Sequence, residues 1–389
     1  MTAAPPLGVY VHWPYCARIC PYCDFNIVRD RGRRAEQAAL ATAIVEDLKA
    51  CRALTGPRRL VSVFFGGGTP SLMTPGQVAS VLDAARMLWT TEGELEVSLE
   101  ANPTDAEAGR FKELASAGVT RLSLGVQSLR DEALVFLRRN HSAADAVAAA
   151  NAAAGAFPRW SLDLIYARPG QDARAWAGEL ADAIALGPEH VSPYQLTIES
   201  GTAFGRAVAR GRWAPPDPET AAGLFETTQE VLTRHGYDAY EVSNHARGEA
   251  ARSRHNLVYW RGQDYVGVGP GAHGRLTLGE RRVATFAQTA VADYVRQVSE
   301  TGTGWRTQDV LTPIDVAEER LLMGLRTSEG VDLSDLGPIG VDGKTPAVAR
   351  FVDAGLLRCD AGRLIATPAG RLLLDRITTD LATAGEPVG

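Results

Sequence analysis

The stretch HWPYCARICPYCDF, residues 12–25, crowds Cys16, Cys20 and Cys23 into eight positions directly after the apolar run GVYVHW that begins at Gly8. Three and then two residues separate the thiols. On a loop just past a strand, this spacing lets three thiolates converge on one polynuclear iron–sulfur cluster. A zinc site would usually bring four protein ligands, with a second CxxC or a His pair downstream; none is visible, and a zinc knuckle is the alternative reading. Three protein ligands on a four-iron cube leave one iron open, where a small molecule can be activated. Cys51 and Cys359 stand alone and read as buried structural thiols, so the five cysteines make a poor disulfide framework.

Around that loop the first two hundred residues alternate between β-rich runs and alanine-rich stretches of helical period. The strands expected begin at Gly8, Leu60 (LVSVFFGG), Leu95 (LEVSLEA), Arg121 (RLSLGVQS), Trp160 (WSLDLIYA) and His190 (HVSPYQLTI); helices are expected around 35–53, 75–89, 106–117, 131–154 and 172–186. Six βα repeats predict an α/β fold, a parallel sheet closing wholly or partly into a (β/α)6 TIM-like barrel with its chemistry at the strand C-terminal ends. Unusual residues do gather there: the cysteines after the first strand, Gly66-Gly67-Gly68-Thr69-Pro70 after the second, Glu100 and Gln127 ending the third and fourth, and Asp163 inside the fifth. The pattern divides the chain into a barrel (1–210), an irregular extension (211–300) and a C-terminal helical, winged-helix-like domain (301–389). In the last, an Asp-Ala-Gly turn closes a hairpin, and Thr367 caps a helix with Pro368 at its first position. Winged helices often bind DNA; the mixed charge of this segment reads instead as a lid or docking module.

With 389 residues, 45% apolar, the chain can bury a large core, and its net charge of −6 excludes a nucleic-acid footprint. No apolar run reaches eighteen residues and no basic-then-apolar leader precedes Gly8, so a membrane span and an export signal are not expected and the cytoplasm is the expected compartment.

The CxxxCxxC loop resembles the signature of the radical S-adenosylmethionine (SAM) superfamily. The resemblance implies a 4Fe-4S cluster on Cys16, Cys20 and Cys23, with the cofactor's amino and carboxylate groups on the open iron and reductive cleavage to a 5′-deoxyadenosyl radical. It also implies that Gly67, Gly68 and Thr69 of the GGGTP turn meet the methionine amino group. Glu100, Gln127, Arg139 and Asp163 would then meet its carboxylate and the ribose hydroxyls, with Tyr10 and Thr197 beside them and Tyr22 against the adenine. Physically, glycines let bare backbone approach a ligand, and buried carboxylates need partners; some of these residues could equally pin barrel loops.

The runs YVHWPYC, FFGGGTPSL, EANP, SPYQLTIESGT, YEVSNHA and GVGPGAHG look like the oxygen-independent coproporphyrinogen III oxidase family and its relatives. Oxidase members carry a further cysteine two positions after the third, where this chain has Phe25; the haem-binding HemW branch has an aromatic residue there. RHNLVYW, with His255, Tyr259 and Trp260, resembles the HNxxYW motif of that branch, in which the histidine is implicated in holding haem. A neutral imidazole is a good axial ligand and the aromatic rings offer flat faces; a loop histidine beside core aromatics is the plain alternative. The resemblance thus implies a haem chaperone that delivers haem to acceptors of the respiratory chain, with transient membrane-surface association and homodimerisation as further expectations. Anaerobic decarboxylation of coproporphyrinogen III is the competing function. His12 is expected to support the cluster loop, and His245 and His273 to serve loop packing. Ala167-Arg168 stands where the oxidase-like family usually has glycine-leucine, and Arg168 is either a propionate partner or a solvated loop residue.

Overall fold

The computed structural model describes residues 4–104 and 108–383. Six parallel strands are neighbours both in sequence and in space: β1 (Pro6–Trp13), β2 (Arg59–Gly67), β3 (Thr90–Ala101), β4 (Arg121–Gln127), β5 (Arg159–Tyr166) and β6 (His190–Gln195). Helices Arg34–Thr55, Pro75–Leu88, Phe111–Ser116, Ala143–Ala156 and Ala173–Ala185 lie in the successive crossovers. Alternation along each strand sorts the side chains. Val9, Val11, Val63, Phe65, Val97, Leu99, Leu122, Leu124, Leu162 and Leu164 are fully buried in the core shared with the helices. The intervening positions, among them Tyr10, Ser62, Glu100, Ser123 and Asp163, point the other way, into the barrel. Reciprocal capping boxes, Thr74 with Gln77 and Ser142 with Asp145, set the starts of two helices. This is the partial barrel expected.

Three places depart from the local reading. The helix expected over 131–154 is two, Asp131–Phe136 and Ala143–Ala156, because Arg138 turns left-handed (φ 51°) between them. The break carries Arg139 to the barrel mouth. The helix expected over 106–117 is seen as Phe111–Ser116, and its residues 106 and 107 lie outside the described residues. The stretch 211–300, irregular in sequence, contains a seventh parallel strand, β7 (Asp264–Val268), beside β1, followed by antiparallel β8 (His273–Leu278) and β9 (Arg281–Ala287). β10 (Trp305–Val310) completes that edge, and short strands His245–Ala246 and Asp238–Ala239 extend the other beyond β6. One hydrophobic core consequently runs from Leu7 to Val298.

A second core gathers residues from Ala317 to Leu381. Helices Pro313–Gly324, Pro346–Asp353 and Leu374–Ala382 accompany a three-stranded sheet of Val331–Asp332, Leu357–Asp360 and Arg363–Ala366. Ala361 (φ 47°) and Gly362 (φ 78°) close its hairpin with the two positive φ values that a tight turn between twisted strands requires. Thr367 accepts from the Gly370 N–H as helix cap. Helices with a small wing are the expected end of the chain. Cys51 is buried, whereas Cys359, on the hairpin, is exposed; the pattern of two buried thiols fails there because the wing has one open face.

Candidate active site

The cysteine loop is held at both ends by backbone pairing. Val28 N–H donates to Pro14 O (2.8 Å) and Asp30 N–H to Cys16 O (2.7 Å), so the chain between them closes back on itself. His12 binds Asn26 O through Nε2 (2.9 Å), and the Asn26 amide donates to Pro270 O (2.8 Å) and Thr289 O (2.9 Å), fastening the loop to the connections around β8 and β9. The glycine turn after β2 docks under this loop, Gly68 N–H donating to Trp13 O (2.7 Å) and Thr69 N–H to Tyr15 O (2.8 Å). A Cβ on Gly68 would stand 2.7 Å from Tyr15 O; one on Gly67, already left-handed at φ 104°, would stand 2.5 Å from the His12 ring. Only bare backbone fits between turn and loop.

All three thiols line a cavity of about 820 Å³ that continues down into the barrel. Burial pushes Cys16 up to about 12 and Cys23 to about 11, so both are protonated until a cation displaces the proton. Arg139 Nη1 reaches Cys20 Sγ at 3.2 Å, while its Nη2 donates to Gly125 O (2.9 Å) and to Asn102 Oδ1. Asn102 Nδ2 donates in turn to Thr69 Oγ1 (3.0 Å). Among the described residues no three His, Cys, Asp or Glu side chains converge closely enough to hold a single metal ion.

Two carboxyls face the same cavity, and among the described residues neither forms an ion pair. Glu100 accepts from Gly67 N–H (3.1 Å); burial, and then the neighbouring Asp163, push its pKa to about 8. Asp163 accepts from Ser123 Oγ (2.9 Å) through Oδ2, its Oδ1 makes no hydrogen bond among the described residues, and burial raises it to about 6. Gln127 lines the wall in a left-handed conformation (φ 67°) that costs a non-glycine residue about 1 kcal/mol or more. Such strain persists only where the surroundings fix it.

Cys16, Cys20, Cys23, Tyr10, Tyr22, Gly67, Gly68, Thr69, Glu100, Gln127, Arg139, Asp163, Thr197, His255 and Tyr259 therefore line one cavity. Tyr10 is bonded to His12 Nδ1 (3.0 Å) and stacks on Phe64; Tyr22 packs against Phe204 at the rim. Trp260 is not among the lining residues: it lies one position past Tyr259, about 100° around the helix Arg254–Trp260. His255 is fully buried, stacked on Phe64 at 5.0 Å, with Nδ1 bonded to Ser62 Oγ (2.8 Å) and Nε2 to Tyr259 Oη (2.6 Å). Burial lowers its pKa to about 3, so the ring is neutral, and both nitrogens are engaged within the barrel. Arg168 is neither solvated nor in the cavity. It is buried in an ion pair with Glu179 and donates to Ser128 Oγ (2.6 Å), pinning the loop after β5 to helix Ala173–Ala185. His245 is buried against Gln229 and His273 stacks on Phe286, as packing residues. The cavity wall also includes Arg121, His190, Tyr194, Asn244 and Arg326, which motif reading does not single out. Arg121 had one signal: Arg121, Ser123, Gly125 and Gln127 alternate with apolar residues in RLSLGVQ, marking a polar inner face.

Comparison with known proteins places this geometry in context. The model of the radical SAM superfamily matches residues 10–183, and that of the HemN C-terminal domain matches residues 311–373. The chain is 39% identical to the mitochondrial radical S-adenosyl methionine domain-containing protein 1 of Bos taurus, over 96% of this chain and 87% of that protein. It is 36% identical to the heme chaperone HemW of Mycobacterium tuberculosis, over 97% and 95%, and 38% identical to that of Escherichia coli, over 74% and 75%. Among solved structures, coproporphyrinogen III oxidase (HemN) of Escherichia coli, a radical SAM enzyme, superposes with a TM-score of 0.79 at 23% identity, covering 98% of this chain and 91% of that one. That likeness shows the fold.

Proposed function

From a chain that belongs to the radical SAM superfamily and, within it, to the family of the heme chaperone HemW, we propose a protein that binds haem and passes it to haem-dependent acceptors, holding one 4Fe-4S cluster and SAM. The observation that carries this reading is the single cavity with three thiols at one end and the neutral His255–Tyr259 pair further in. Its donors suit the two cofactors. Cys16, Cys20 and Cys23 supply three soft sulfurs, the turn at Gly67 and Gly68 leaves backbone bare, and Glu100 and Asp163 offer buried carboxyls that lack a cation. When bound, cluster and cofactor together supply one-electron reductive chemistry. Thr69, Gln127, Arg139 and Thr197 orient the cofactor, Tyr10 and Tyr22 border it, and burial of Glu100 keeps a proton on that carboxyl until a ligand cation replaces it.

Haem enters as cargo. Ligation by His255 requires Nε2 to give up the Tyr259 hydroxyl, which makes Tyr259 the group that gates the imidazole; Trp260 lies on an adjacent face of that helix. Delivery to respiratory-chain acceptors, with transient contact to a membrane surface and pairing of two chains, completes the reading, in the cytoplasm. Among the described residues no helix is long and apolar enough to cross a membrane, and several relatives are named mitochondrial. The deciding experiment is an optical haem titration of the reconstituted protein, with and without the cluster, beside an anaerobic assay with coproporphyrinogen III. A saturable haem spectrum without protoporphyrinogen supports the chaperone; protoporphyrinogen accumulation overturns it in favour of the oxidase.

A further inference from the structure

The far end of the cavity carries positive charge that the cofactor set does not use. Arg121 opens β4, so it lies at the N-terminal end of the barrel strands, whereas the cysteines lie at their C-terminal end. It is 3% exposed and lines the cavity, and its Nη1 donates to Ala251 O at 3.2 Å. Among the described residues no carboxylate pairs with its guanidinium; Asp163, the acid it influences, is already bonded to Ser123. A buried guanidinium without an anion is costly and is retained where an anion visits. Its other neighbours, His190 and Tyr240, are neutral and bonded to each other (2.8 Å).

A second guanidinium reaches the same cavity from the C-terminal domain. Arg326, just past helix Pro313–Gly324, lines the rim; its ion pair with Asp375 spans 3.5 Å, and Asp375 is 92% exposed, so water screens that pair. Glu241, the other acid near Arg326, is buried and engaged by Asn244 Nδ2, and Asn244 Oδ1 faces the cavity without a partner. The wall of the same cavity also carries the rings of Phe64, Tyr194 and Tyr259. Aromatic faces in a cavity that also holds two guanidiniums match a planar macrocycle bearing carboxylates along one edge.

We propose that this end is a carboxylate subsite, Arg121 at the floor and Arg326 at the rim each taking one propionate of the porphyrin. The proposal rests on the haem reading above. The C-terminal domain thereby contributes a binding group to the barrel cavity.

The test titrates haem and haem dimethyl ester into the full-length wild type, Arg121→Gln and Arg326→Gln. The wild type should bind haem roughly ten-fold tighter than its ester, as expected for losing charge-assisted hydrogen bonds. Each variant should lose about half of that preference in free energy, leaving it roughly three-fold, while its ester affinity stays unchanged. Equal affinity of the wild type for acid and ester overturns the subsite while leaving haem binding intact, as does a preference undiminished in both variants. Failure of the wild type to take up haem at all removes the haem reading and the subsite with it. The wild-type ester comparison needs no variant to fold, and Arg326, partly exposed, is replaced without opening a cavity.

Discussion

Glu100→Gln should stabilise the ligand-free protein at neutral pH while weakening its hold on SAM. In the folded protein, burial and the nearby Asp163 raise the Glu100 pKa from 4.5 to about 8. Between those values the unfolded chain has lost a proton that the folded protein keeps, so the contribution to stability falls as pH rises through this window. The slope is about 1.4 kcal/mol per pH unit for one proton. From pH 4.5 to pH 7 that amounts to about 3 kcal/mol. Glutamine has nearly the same shape, still accepts from Gly67 N–H and does not titrate. The stability difference between variant and wild type should therefore be about 1 kcal/mol or less at pH 5 and grow to about 3 kcal/mol at pH 7. Asp163 titrates in both proteins and largely cancels. Urea unfolding of the two proteins at several pH values reads this directly. A difference that does not change with pH, or that shrinks as pH rises, refutes the claim that Glu100 is a strained carboxyl awaiting a cation.

Tyr259→Phe removes the hydroxyl bonded to His255 Nε2; worth about 1 kcal/mol net, its loss should tighten haem binding several-fold in an optical titration, while His255→Ala weakens it. Unchanged affinity in both variants would remove His255 from the haem site. Gly68→Ala places a Cβ 2.7 Å from Tyr15 O, forcing turn and cysteine loop apart; equilibrium dialysis should show SAM affinity falling by at least about ten-fold, with the far-UV circular dichroism unchanged. Arg168→Met leaves Glu179 buried without its partner and should cost about 3–5 kcal/mol in urea unfolding; a cost below about 1 kcal/mol would mean that water reaches the pair.

What could be read in the sequence was what local pattern carries. The six barrel strands follow from alternating apolar runs, the thiols, Gly67, Gly68, Glu100 and Gln127 from their positions at strand ends, and Asp163 from being a carboxyl inside an apolar strand. What escaped depends on partners far away in the chain. β7 is a five-residue strand whose place is set by pairing with β1, more than 250 residues earlier, through Tyr10 opposite Gly267. The alanine-rich period of 131–154 continues smoothly across a break that only the left-handed Arg138 reveals. Trp260 shares a motif with His255 and Tyr259, yet helical geometry gives the i, i+4 pair one face and sends the next residue elsewhere. Arg168 reads as a loop cation until Glu179, eleven positions on, is seen beneath it. Arg326 belongs to the second core's neighbourhood, and nothing local announces that it reaches the barrel.

The proposed function stands on Cys16, Cys20 and Cys23 holding a cluster with one iron open to SAM at the mouth of this cavity. Anaerobic reconstitution, followed by iron and sulfide analysis and electron paramagnetic resonance of the reduced protein with and without SAM, tests it most directly. One 4Fe-4S cluster per chain and a signal that SAM shifts are expected, with both lost in a Cys20→Ala variant. Zinc in place of iron, or a cluster signal indifferent to SAM, would contradict it.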